Sequence, residues 1–82
     1  MNVAEDLRSL LADTLQLGAR ARSLNDGSAL LGALPELDSQ AVVQLITAIE
    51  DHFGFTVADD EVSADTFATF GTLAAFVASK CA

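Results

Sequence analysis

The sequence predicts an all-α fold, a bundle of three main helices and one short one, and three observations carry that prediction. Apolar residues recur at spacings of three and four in three stretches, near residues 3–17, 39–53 and 69–80. No stretch reads convincingly as a strand. Apolar residues also make up 51% of the 82 positions, enough for a folded core and too many for an intrinsically disordered chain. At this length the expectation is a single domain spanning residues 1–82 with one modest core.

The first helix is predicted over Val3 to Leu17. Val3, Leu7, Leu10, Leu11 and Leu15 would form its inner face, and Glu5, Asp6, Arg8 and Asp13 would point outward. Gly18 is the natural stop. Residues 19 to 37 then form a connection longer than the roughly 12 to 15 residues usual for a structureless loop. It holds a turn signal at Asn25-Asp26-Gly27 and a helix breaker at Pro35. Leu24, Leu30, Leu31, Leu34 and Leu37 would pin it to the core. A connection of this length lets the second helix run parallel to the first.

The second helix begins at Asp38-Ser39, and either side chain suits the N-cap, where an oxygen accepts from an otherwise unpaired N–H of the first turn. Val42, Val43, Leu45, Ile46, Ile49 and Phe53 line one face, and Gln40, Gln44, Thr47 and Asp51 the opposite one. Gly54 supplies the stop. The helix start presents a hydroxyl, that of Ser39, where aligned peptide dipoles and free N–H groups favour phosphate.

Beyond Gly54, Phe55 and Val57 point back to the core. Asp59-Asp60-Glu61 open the short helix, since acids suit a helix N-terminus, with Val62, Ala64 and Phe67 as its apolar contacts. The last helix runs from Thr69 or Phe70 to Lys80, with Phe70, Leu73, Phe76 and Val77 inward and Lys80 near its negative end. The five phenylalanines read as core rather than as a ligand box.

Charge narrows the function. The net charge is −8, and residues 23–79 contain nine acids and no Lys or Arg. Such a field repels nucleic acid and anionic membranes and attracts basic protein surfaces. No apolar run approaches the 18 or so residues of a membrane span, and the start MNVAEDLRSLL has no basic signal region, so the expectation is a cytoplasmic protein that does not insert into membranes. The like charge favours a monomer.

Catalysis is disfavoured by distance. His52 is the sole histidine, and thirteen helical residues from Ser39 place it about 20 Å away, against the contact of about 3 Å that a Ser-His pair needs. His52 reads as an exposed residue of the last helical turn. Asp59-Asp60-Glu61 lacks the alternating ligands and the glycine of a calcium loop. Cys81 has no partner for a disulfide and no metal-type Cys/His pattern around it. No catalytic residue and no metal ligand is assigned.

The stretch from Leu34 to Phe53, LPELDSQAVVQLITAIEDHF, resembles the second helix of the acyl carrier proteins. These are small acidic carriers that hold acyl groups as thioesters on a phosphopantetheine arm. Asp38-Ser39 fits the family's Asp-Ser pair, and Val43, Leu45, Ile46, Ala48, Ile49, Glu50, Asp51 and Phe53 follow its order of apolar and acidic positions. The similarity extends over nearly the whole chain. It implies an acyl-carrier-like bundle that does no catalysis, with covalent phosphopantetheine, taken from coenzyme A, on Ser39 and Asp38 as the adjacent motif residue.

The implied partners are a phosphopantetheinyl transferase, an acyl or aminoacyl ligase, and synthase or transferase enzymes with basic docking surfaces. Gln40, Gln44, Thr47, Glu50 and Asp51 would meet them. Three departures stand out: Gln40 replaces the usual leucine, Gln44 and Thr47 replace an acid and a methionine, and Leu37 replaces the usual glycine. They set the partner face apart from that of ordinary fatty-acid synthesis. The cargo implied is an acyl intermediate of fatty-acid, polyketide or other specialised lipid synthesis. An aminoacyl or peptidyl carrier, or an unmodified helical interaction module, is the alternative.

Overall fold

The computed structural model describes residues 2–35 and 37–81, with Asp59 described by its backbone alone. Three α-helices carry the fold: α1 (Val3–Leu15), α2 (Ser39–Phe53) and α3 (Phe70–Cys81). Short 3-10 segments occupy Gly18–Ser23, Asp59–Glu61 and Ala64–Phe67. The short helix of the sequence reading is thus two successive 3-10 turns, and the side chain of Asp59 in its acidic start lies outside the described residues. No strand forms among the described residues; one isolated antiparallel bridge pairs Ala29 with Thr69.

The core is one cluster drawn from all three helices and the long connection. Leu7, Leu11, Leu45, Leu73, Val77 and Phe70 are fully buried, each contributing about 1.5 to 3 kcal/mol relative to exposure. Among the described residues no polar or charged side chain is buried. Here α1 is shorter than predicted: Gln16, not Gly18, ends it, in the left-handed conformation (φ 56°, ψ 43°), with Leu17 N–H bonded to the Ala12 carbonyl. Asn2 caps its start through Glu5 N–H at 3.2 Å.

The helices α1 and α2 run antiparallel, not parallel. Thr14, Leu15 and Gln16 lie beside the start of α2, while His52 at the far end of α2 comes within 3.6 Å of Asp6 near the start of α1. Both α2 and α3 end beside Val3. The long connection doubles back instead of crossing the bundle. Leu24, Leu30 and Leu37 are buried and Leu34 partly so, as predicted, but Leu31 is exposed.

Backbone bonds dock that connection on the start of α3. Leu30 and Leu31 N–H donate to the carbonyls of Ala68 and Phe67, and Phe70 and Gly71 N–H donate to Ser28 and Asp26. The last two satisfy donors that a helix start leaves unpaired. Thr69 and Thr72 complete the cap: each hydroxyl accepts the other's backbone N–H at 3.1 Å. Arg8, expected to face outward, turns in. Its Nε donates to the Leu24 carbonyl at 2.8 Å, and its guanidinium sits 5.1 Å from the Phe70 ring centroid.

Phe53 stacks on Phe55 at 6.2 Å, and Lys80 lies 5.9 Å above the Phe55 ring while pairing with Glu61 at 2.7 Å. These contacts fasten the end of the bundle away from Ser39.

Candidate functional site

The choice of cap at the start of α2 decides what Ser39 can do. Asp38 takes an extended backbone (φ −101°, ψ −176°), and its Oδ1 accepts the Ala41 N–H at 2.8 Å. Ser39 is therefore the first helical residue instead of the cap. It is exposed, and among the described residues its hydroxyl has no hydrogen-bond partner. The backbone N–H groups of Ser39 and Gln40 are also without partners there.

A free hydroxyl and two free N–H donors thus meet at the positive end of a 15-residue helix. This arrangement suits a phosphodiester better than a thiol or an amine, because the donors and the dipole act on its negative charge. The residues present fit a phosphate-linked group on the exposed Ser39.

The remaining residues singled out in the sequence divide into three groups. Ser39, Val43, Thr47 and Asp51 follow one another at intervals of four, and all are exposed, forming a ridge along α2. Val43 was expected on the buried face; it is 62% exposed and adds an apolar residue to this ridge. The signal for this was its four-residue register with Ser39 and Thr47. Gln40 and Gln44 are exposed one step around the helix, beside the end of α1.

Glu50 behaves differently. Its side chain is turned to the following segment, where Oε2 accepts the Val57 N–H at 2.7 Å in a partly buried bond. Its carboxylate holds the chain after α2, and its exposure is less than that of its neighbour Asp51. His52 is exposed in the last turn, as read from the sequence, but its ring also contacts Phe53 at 4.8 Å. Cys81 is exposed and free. Among the described residues no cluster of His, Cys, Asp or Glu could hold a metal ion, and no helix is long and apolar enough to cross a membrane.

Residues 5–77 match the family model described as the phosphopantetheine attachment site. The solution NMR structure of a holo acyl carrier protein from Nitrosomonas europaea is 54% identical in sequence, with a TM-score of 0.90 over 98% of this chain and 96% of that one. No curated protein matches the chain. The fold, the exposed serine at a helix start and these similarities agree: the chain belongs to the acyl carrier protein family, non-catalytic carriers of acyl groups on covalently attached phosphopantetheine.

Proposed function

We propose that Ser39 carries the phosphopantetheine, and that residues 1–82 act as one carrier domain for acyl intermediates of fatty-acid, polyketide or other specialised lipid synthesis. The observation that carries this reading is the exposed, unpartnered Ser39 hydroxyl at the first position of α2. Asp38 frees it by taking the cap. A separate transferase, with Mg²⁺ and coenzyme A, directs the Ser39 oxygen to the phosphorus that bears the pantetheine: the pyrophosphate P–O bond breaks, adenosine 3′,5′-bisphosphate leaves, the hydroxyl proton passes to a base of the transferase, and a phosphodiester remains against the N–H groups of Ser39 and Gln40. The terminal thiol of the arm holds the cargo as a thioester, and a tethered group meets successive enzymes at high effective concentration.

The partner face in this reading is the α2 surface bearing Gln40, Gln44, Thr47 and Asp51, with Val43 among them; Glu50 borders it with its carboxylate held by the Val57 N–H. Acids there steer the carrier to basic surfaces of a cytoplasmic ligase, synthase or transferase and set encounter rate more than affinity. Gln40, Gln44 and Thr47 support partners outside ordinary fatty-acid synthesis, because they reduce the charge of this surface and place amides on it.

Two experiments test the proposal. Fragmentation mass spectrometry of protein loaded by a broad-specificity transferase should place one phosphopantetheinyl group on the peptide containing Ser39; addition elsewhere contradicts it. Charging of the loaded protein by an acyl ligase, and not by an adenylating amino-acid enzyme, identifies the cargo as acyl. The reverse result identifies an aminoacyl carrier. An unmodified interaction module would leave biological activity intact in Ser39→Ala.

A further inference from the structure

A groove of about 340 Å³ runs between the last turn of α1 and the first turns of α2. Thr14, Gln16, Gln40 and Gln44 line it, with the buried Leu15 and Ala41 beneath. Asp38 also borders it, but that carboxylate is engaged with Ala41 N–H. Asp38 and Gln40, the residues on either side of Ser39 in the chain, border the groove, and Ser39 itself stands on the adjoining ridge of α2.

Its chemistry is unusual for this chain. In a segment carrying nine acids between residues 23 and 79, the groove presents primary amides, each able to donate and to accept. None of the three glutamine side chains has a protein partner among the described residues. Gln16 is the most telling. It holds a left-handed backbone at φ 56°, where glycine is the least strained residue, yet it keeps a long side chain that borders the groove.

The phosphopantetheine arm has the complementary chemistry: two secondary amides, each one donor and one acceptor, joined by short methylene segments. The groove volume is at the lower end of the roughly 300 to 1,000 Å³ usual for ligand pockets.

We infer that this groove seats the arm on the α1 side of α2, with the arm's amides hydrogen-bonded to Gln16, Gln40 and Gln44. The inference rests on attachment at Ser39. Hydrogen bonds at an open groove compete with water and are individually weak, so the seated arm exchanges with a free one, as delivery to enzymes requires.

The test uses holo protein made by a transferase from coenzyme A labelled with ¹⁵N in its pantetheine amides, with the modification on Ser39 verified by fragmentation. NMR should show nuclear Overhauser contacts from the arm amide protons to the side-chain amides of Gln16 and Gln44. Exchange of those arm protons with solvent should be slowed roughly threefold or more relative to free phosphopantetheine. The double variant Gln16→Gly, Gln44→Ala should abolish both signals and keep its fold, because glycine suits the positive φ and alanine the helix interior.

An arm verified on Ser39 whose amides exchange at the free rate, contact α3 instead, or keep their protection in the double variant overturns the seat and leaves attachment standing. Absence of the group from Ser39 overturns both.

Discussion

Gly71 and Asp26 meet backbone to backbone: the Gly71 N–H donates to the Asp26 carbonyl at 3.0 Å, and a Cβ on Gly71 would stand 2.6 Å from that oxygen. The contact is where the long connection closes on α3, so the seating of residues 26–31 depends on the missing side chain. Gly71→Ala gains up to about 1 kcal/mol of helix propensity. Overpacking against fixed backbone costs about 1 to 3 kcal/mol and should outweigh it. Urea unfolding should show a lower midpoint for the variant; an unchanged or higher midpoint would mean that the connection yields freely.

Glu50 and Asp51 are adjacent acids with separable roles. Glu50→Ala strips the partly buried Val57 N–H of its acceptor and should cost about 1 to 3 kcal/mol, lowering the thermal midpoint. Asp51→Lys, on the exposed ridge, should change stability by no more than about 0.5 kcal/mol. It should instead slow modification by the transferase at low salt, with the difference narrowing as salt screens the charge. Equal transferase rates for Asp51→Lys and the parent at low salt would remove the acidic docking face from the account.

The pair of Glu61 and Lys80 sets a pH dependence. Hydrogen bonding from the Lys80 ammonium, and then from Ala58 N–H, holds the Glu61 carboxyl below its ordinary value of 4.5. Because the folded value lies below the unfolded one, the stabilisation is fully present above 4.5 and is lost as pH falls through the folded value. Carboxyl-detected NMR should therefore find Glu61 titrating below its ordinary range in the parent and closer to it in Lys80→Ala. Identical titrations would contradict the pairing.

Most of α2 was legible in the sequence because its signals are local. Asp38 caps it, Gly54 takes the left-handed C-cap at φ 77°, and the three- and four-residue spacing marks Leu45 and Ile49 as buried. The end of α1 was not, since a glutamine holds a left-handed position that a glycine two residues later advertised.

The direction of α2 was misread for a different reason: a long connection can cross the bundle or double back, and its length favours neither. The contacts of Arg8, Glu50 and Gly71 were not legible because their partners, Leu24, Val57 and Asp26, lie elsewhere in the sequence and only packing brings them together. The place of Ser39 at the start of α2 was legible. Its freedom from capping was not, because Asp38 and Ser39 are equally good caps on paper and only the Asp38–Ala41 bond separates them.

Intact-protein mass spectrometry decides whether Ser39 is the attachment point. Parent and Ser39→Ala would be incubated with coenzyme A, Mg²⁺ and a broad-specificity phosphopantetheinyl transferase. Attachment at Ser39 gives a single phosphopantetheinyl addition to the parent and none to the variant, with both proteins equally helical by circular dichroism. Addition to Ser39→Ala, or to neither protein while the fold is intact, would contradict it.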